Sequence, residues 1–213
     1  MVPSLPADKW SLLRRIYFDL IGLPPSHDDV QRFTSGQESY EQVVDRLLAS
    51  PQYGERWGRH WLDLARFAES HGFEQDYDRK FAFHYRDIVI RAFNDDMPYD
   101  RFTIEQLAGD MLPDATPSQV VATGFHRNTL INREGGIDGE EDSVKRTVDR
   151  TTTLGEVCLG MHVGCTQCHY PNYDPLVPHD HYGLNPFLTH PHNPHHPPPP
   201  PSHHRRHPTR NGP

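Results

Sequence analysis

Residues 52–70, QYGERWGRHWLDLARFAES, decide how this chain is read. Tyr53, Trp57, Trp61, Leu64 and Phe67 recur at intervals of three and four residues, the spacing that lines one face of an α-helix. Aromatic rings bury large areas, so a helix carrying several of them is expected at the centre of a core. The helical period continues on both sides. In residues 8–26, Trp10, Leu13, Tyr17 and Leu20 follow it, and Gly22 with Pro24 reads as a stop. Ser26 with Asp29, and Ser39 with Gln42, are capping-box pairs that open two short helices, the second carrying Val43, Val44, Leu47 and Leu48 before Pro51. Downstream, Tyr85, Ile88, Val89, Ala92 and Phe93 form another inward stripe, a helix is expected around 101–107, and Thr116-Pro117 with Gln119 opens one more. Residues 126–138 read as a loop broken at Gly135-Gly136. From Asp138 an acidic start leads into a helix with Val144, Val148 and Leu154 directed inward. No segment alternates apolar and polar residues, so the class is all-α: a multi-helix globular domain with short loops.

Composition divides the chain in two. Of its 16 histidines and 21 prolines, 9 and 13 lie after Tyr170, ending in a run with almost nothing apolar to bury. Such a segment is expected to be extended and disordered. Residues 1–174 are therefore read as the helical domain and 175–213 as a His/Pro-rich disordered tail, abrupt enough to suggest a truncated or frameshifted end. Residues 1–169 carry 18 Lys and Arg against 27 Asp and Glu, a formal charge of −9, which argues against a nucleic-acid partner. No apolar run reaches the length of a membrane span, and the N-terminus has no signal-peptide pattern. Three cysteines are too few for a disulfide framework and point to a cofactor, a metal or plain thiols.

Two of them stand in GCTQCHYPNYDP, residues 164–175. In the C-x-x-C-H pattern the thiols of Cys165 and Cys168 supply the atoms for two thioether bonds to one haem, and His169 supplies an axial nitrogen to its iron. On an α-helix, positions i, i+3 and i+4 would share a face. The competing reading is zinc held by His162, Cys165, Cys168 and His169, with Cys158 as a further thiolate. A thioredoxin-like pair lacks the strand-turn-helix context. For a distal haem ligand, Met97, Met111, His71, His84 and His126 are indistinguishable in the sequence. Met161 and His162 are disfavoured if their segment is helical, because they would then lie on the side of His169.

Several long stretches carry a family resemblance: LLRRIYFDLIGLPPS, YEQVVDRLLASPQYGERWGRHWLDLARFAES, YRDIVIRAFNDDMPYDRFTIEQLAGDMLP, ATGFHRNTLINREGGID and GCTQCHYPNYDP. In this order, from about Asp8 to Asp174, they resemble the DUF1549 domain, the planctomycete cytochrome-type domain PSCyt2. The resemblance implies an exported multidomain protein of the periplasm or cell envelope, with this domain between a cytochrome c-like and a DUF1553-like neighbour. It carries over Cys165, Cys168 and His169, with Tyr173, Asp174 and Pro175 ending the motif. Members usually read C-x-x-C-H-D-H-K-[FY]-D-P. This chain has Tyr170-Pro171-Asn172 where Asp-His-Lys is expected, which removes a second histidine.

The expected role is a haem c domain for electron transfer or redox sensing. One alternative is a structural or carbohydrate-associated helical module with zinc, or no metal, at the cluster. Another is part of an envelope enzyme completed by other domains. No Ser/His/Asp order, phosphate loop or H-E-x-x-H motif is present, so no complete catalytic motif identifies an enzyme. The acidic stretch ESHGFEQDYD lacks EF-hand spacing and reads as a solvated loop. Asn132, Arg133 and Glu134, beside the glycine pair, form a possible ligand-binding loop.

Overall fold

The computed structural model describes residues 6–132 and 134–189, and among them finds helices, turns and one isolated bridge, Ser70 with Asp78. The all-α reading stands. Three helices open the chain: α1 (Lys9–Leu20), α2 (His27–Thr34) and α3 (Tyr40–Leu48). Asp8 caps α1 through the Ser11 amide, and both expected capping boxes are closed reciprocally at Ser26/Asp29 and Ser39/Gln42. Leu13, Tyr17, Phe33, Val43 and Leu47 pack into a small core of their own. Trp10 and Leu48, expected inside, are exposed.

The second core is built by α4 (Pro51–Leu64), α5 (Phe83–Asn94), α6 (Tyr99–Ala108) and α7 (Pro117–Ala122). The aromatic helix is central, as expected, but it is rotated about its axis relative to the aromatic stripe. Its buried face is Gly54, Gly58, Trp61 and Leu62, while Trp57 and Leu64 are exposed. The glycines explain the rotation. A Cβ on Gly54 would lie 2.4 Å from the Ile90 carbonyl oxygen, so only glycine admits this approach of α5. Asn94 fastens the contact, accepting from the Gly54 amide at 2.8 Å and donating to the Pro51 carbonyl at 3.2 Å. Trp61 then meets Phe102 edge-on at 4.7 Å and donates its indole N–H to the Tyr85 hydroxyl, which donates onward to Gln106. Burial pushes the Tyr85 hydroxyl upward, so it stays a neutral donor.

The C-terminal unit comprises α8 (Gly139–Leu154), a π-turn (Gly155–Leu159), a 3-10 turn (Val163–Gln167) and α9 (Pro178–Leu188). The expected Val144 stripe is not the buried one. Val144 is exposed and α8 instead buries Arg146, Thr147, Thr151 and Thr153. Arg146 is neutralised one turn back by Asp142 at 2.8 Å, and the threonine hydroxyls donate to carbonyls four residues earlier. The boundary drawn at 174 also moves. Residues 178–188, read from composition as tail, form α9, which packs on α8 and on the 3-10 turn with His181 fully buried. Leu188 is buried too, so a proline- and histidine-rich composition hid a packed helix. Residues 190–213, the rest of the expected tail, lie outside the described residues. No helix among the described residues is long and apolar enough to cross a membrane.

Candidate functional site

The cysteine motif sits on a turn that two glycines press against α8. After the π-turn, Gly160 adopts the left-handed conformation (φ 63°) and reverses the chain. A Cβ on Gly155 would lie 2.1 Å from the Val163 side chain, and one on Gly164 would lie 2.6 Å from the Thr152 methyl. Both positions therefore need glycine if the turn is to reach α8 this closely. Val163 and Thr166 point inward and are buried, and Thr166 donates to the Val163 carbonyl at 2.6 Å. Cys165, Cys168 and His169 are exposed.

The α-helical geometry expected for the motif is replaced by a 3-10 turn. The turn spans Val163–Gln167, and Cys168 follows it directly as its C-terminal cap. The amides of Cys168 and His169 both donate to the Cys165 carbonyl at 3.3 Å, which ties the histidine to the same turn. His169 donates Nδ1–H to the Tyr170 carbonyl at 3.0 Å, leaving Nε2 as its lone-pair nitrogen.

Two further histidines brace the turn. Asp174, from the Tyr-Asp-Pro end of the motif, accepts from the His162 amide at 2.7 Å and from His162 Nδ1 at 2.9 Å. This one carboxylate closes the loop around both cysteines, and the His162 amide is the main reason its carboxyl lies below the usual range. From below, His181 donates Nδ1–H to the Val163 carbonyl at 3.1 Å, and Tyr182 donates its hydroxyl to the Gln167 carbonyl at 3.1 Å. The His181 Nε2 is buried with no hydrogen-bond partner among the described residues.

Beside the turn runs an open groove of about 390 Å³ lined by Val144, Lys145, Val148, Asp149, Thr152 and Gln167. Gln167 lies between the two cysteines, so the exposed Val144 and half-buried Val148 of α8 border the motif. Burial raises the Asp149 carboxyl, but the Arg66 guanidinium and Thr129 hydroxyl outweigh it and hold it below the usual range. Arg66 reaches Asp149 Oδ2 at 2.9 Å.

Cys158 is not drawn to the other cysteines. It is half-buried against the Trp61 core, and desolvation pushes its thiol up. Among the described residues, no three His, Cys, Asp or Glu side chains are gathered to hold a metal ion. The methionines and histidines considered as distal ligands are dispersed. Met97 packs on the α4–α6 core, Met111 is exposed, and His84 is stacked on Phe81 and lies tilted against Phe83. His71 accepts from Arg79 at 3.2 Å, and His126 Nε2 lies 3.1 Å from the Leu107 carbonyl.

The two loops read separately in the sequence are docked on each other. Arg79 donates to the carbonyls of Arg127 and Thr129 at 2.8 and 2.7 Å, and the Ile131 amide donates to the His71 carbonyl at 3.2 Å. Asn132 accepts from the Glu134 amide at 2.8 Å, and Glu134 accepts from the Glu74 amide at 3.0 Å. Glu134 thus ties the two loops together, while Asn132 braces its own loop. Arg133 lies outside the described residues.

Sequence reasoning missed three parts of the site: His181, the His162–Asp174 pair as a clamp, and the glycines that seat the turn. Leu184, Phe187 and Leu188 around His181 were the available signal for α9, overshadowed by the composition of the tail.

Neither the curated proteins nor the solved structures contain a match to the chain. The family described as PSCyt2, protein of unknown function (DUF1549), matches residues 1–193, a span that includes α9. The chain, from the capped N-terminal helices through the cysteine turn and the helix that braces it, therefore belongs to the PSCyt2 (DUF1549) family.

Proposed function

We propose that this domain carries a covalently attached haem c and serves electron transfer or redox sensing in a protein of the cell envelope. The observation that carries the reading is the turn itself: two free, exposed thiols three residues apart, followed by an exposed histidine whose Nδ1 is already occupied. Metal-binding histidines are commonly oriented by such a bond to a backbone carbonyl. The thiols of Cys165 and Cys168 would each add S–H across one vinyl C=C, forming two thioethers with no net oxidation. His169 Nε2 would ligate the iron. Bound there, haem c supplies a one-electron couple.

The donor set fits haem better than a bare ion. Structural zinc takes four protein ligands, whereas haem iron brings four porphyrin nitrogens and asks one or two of the protein. Valines 144 and 148 beside the turn offer apolar surface to a macrocycle. Attachment requires reduced thiols in an exporting pathway, which is why the reading places the domain in the periplasm or envelope beside cytochrome c-like and DUF1553-like neighbours.

The test is expression in a bacterial periplasm with the cytochrome c maturation machinery, beside a Cys165→Ala/Cys168→Ala control. Haem stain on a denaturing gel and a pyridine haemochrome spectrum in the parent alone are expected. A colourless, folded parent would overturn the reading.

A further inference from the structure

We propose that His181 is an acid-sensitive latch: a proton taken up at Nε2 releases α9 from the cysteine turn while the α4–α6 core stays folded. The latch needs no haem and is built from this chain alone. His181 is the most deeply buried ionisable side chain among the described residues, with no exposed surface. Its Nδ1–H is committed to the Val163 carbonyl at 3.1 Å, which leaves the lone pair of the neutral ring on Nε2. That nitrogen is sealed from solvent and has no hydrogen-bond partner among the described residues. A proton arriving there would create a donor with no acceptor and a cation with no water, and a dry interior penalises both.

The elements packed around α9 supply no anion to offset that charge. On α8, Arg150 donates to the Leu188 carbonyl at 3.2 Å and is itself a cation, Arg146 is paired with Asp142, and Asp149 is taken by Arg66. On the turn, Cys165, Cys168 and His169 are exposed, and Asp174 is engaged by His162. On α9 itself, Asp180 accepts from the Val177 amide at 2.8 Å, His179 is exposed, and Tyr182, edge-on to His181 at 5.2 Å, gives its hydroxyl to Gln167. A free imidazole takes up its proton around pH 6.5. Below that pH the released state binds a proton for which the docked state has no place, so docking is complete above it and release gains about tenfold for each further pH unit. Asp174 still holds the His162 amide in this range, because its carboxyl lies below the usual value and stays ionised.

The experiment is amide hydrogen exchange on the full chain at about pH 7.5 and about pH 5, corrected for the intrinsic rate at each pH. Protection in α9 is expected to fall about thirty-fold between them, with α4 and α5 unchanged. His181→Asn keeps an N–H for the Val163 carbonyl but cannot titrate, and its α9 should be protected equally at both pH values. Nitrogen-15 spectra of the parent should show a neutral His181 ring, protonated at Nδ1, for as long as α9 is protected. Protection of α9 that does not change with pH in the parent, or an equal fall in His181→Asn, would overturn the latch. So would an imidazolium at His181 in a protein whose α9 stays protected, and this ring spectrum decides on the parent alone if the Asn variant fails to dock α9.

Discussion

The α4–α6 core and the C-terminal unit bury side chains of opposite character. The first encloses Trp61, Tyr85, Val89, Phe102 and Phe125. The second encloses Thr147, Thr151, Thr153, Thr166 and His181, with Val163 and Leu188 as its main apolar members. An apolar core is held by area removed from water, which tolerates small shifts. A threonine-lined interior is held by directed hydrogen bonds and close glycine contacts, which do not. The unit that carries the cysteines thus has the more closely specified geometry of the two and buries less apolar surface than the α4–α6 core. It should open locally before the rest unfolds.

The largest effect expected from any single change is in the aromatic core. Trp61→Ala removes the ring that meets Phe102 and bonds Tyr85, and should cost about 3–5 kcal/mol, read as a lower denaturation midpoint for the whole chain. If α8 and α9 alone melted, the two regions would not differ as argued.

Adding a methyl group sharpens the contrast. Gly54→Ala drives a Cβ against the Ile90 backbone, and Gly155→Ala drives one against the Val163 side chain. Each should cost about 1–3 kcal/mol by overpacking. Gly54→Ala should lower global stability, whereas Gly155→Ala should mainly speed amide exchange at the buried Val163 and Thr166 of the cysteine turn. Equal exchange at Val163 and Thr166 in the two variants would erase the distinction.

Thr151→Val keeps shape but removes a fully buried hydroxyl that reaches Asn185 on α9 at 2.7 Å. A loss of about 1 kcal/mol is expected, visible as faster amide exchange in α9 with α4 and α5 unchanged. Exchange spread evenly over the chain would contradict local opening.

Acid should act on the clamp around the cysteines. Asp174 has a folded-state carboxyl below the usual range, so its contribution is complete above the unfolded value of about 3.9 and is lost as pH falls through the folded value. The His162 amide should therefore gain solvent exposure only below about pH 4, a range in which Asp174→Asn should show no further change. The smallest effect is expected at Gly183, where a Cβ meets nothing: Gly183→Ala should stabilise α9 by up to about 1 kcal/mol, through helix propensity alone.

The legibility of the sequence follows the same division. Both capping boxes at Ser26 and Ser39, the Thr116 cap, and the inward stripe of α5 were readable because each is set by residues within one turn of one another. The α4 stripe was found but oriented wrongly, since Gly54 and Gly58 carry no hydrophobic signal and gain their meaning only from α5. In α8 the apolar period pointed to Val144, while the buried face was polar and satisfied by its own carbonyls. The pairing of Asp174 with His162 joins residues twelve apart across a reversal that periodicity cannot register.

Local chemistry by itself determined the all-α class, the helix starts and the residue types of the C-x-x-C-H motif, because these depend on hydrogen-bonding groups and spacings a few residues apart. Tertiary structure alone decided which face of α4 is buried, that residues 178–188 fold, and that both thiols face solvent on a turn seated by Gly155 and Gly164. These depend on how closely two backbones can approach, a property of pairs of elements that no single stretch of chain encodes.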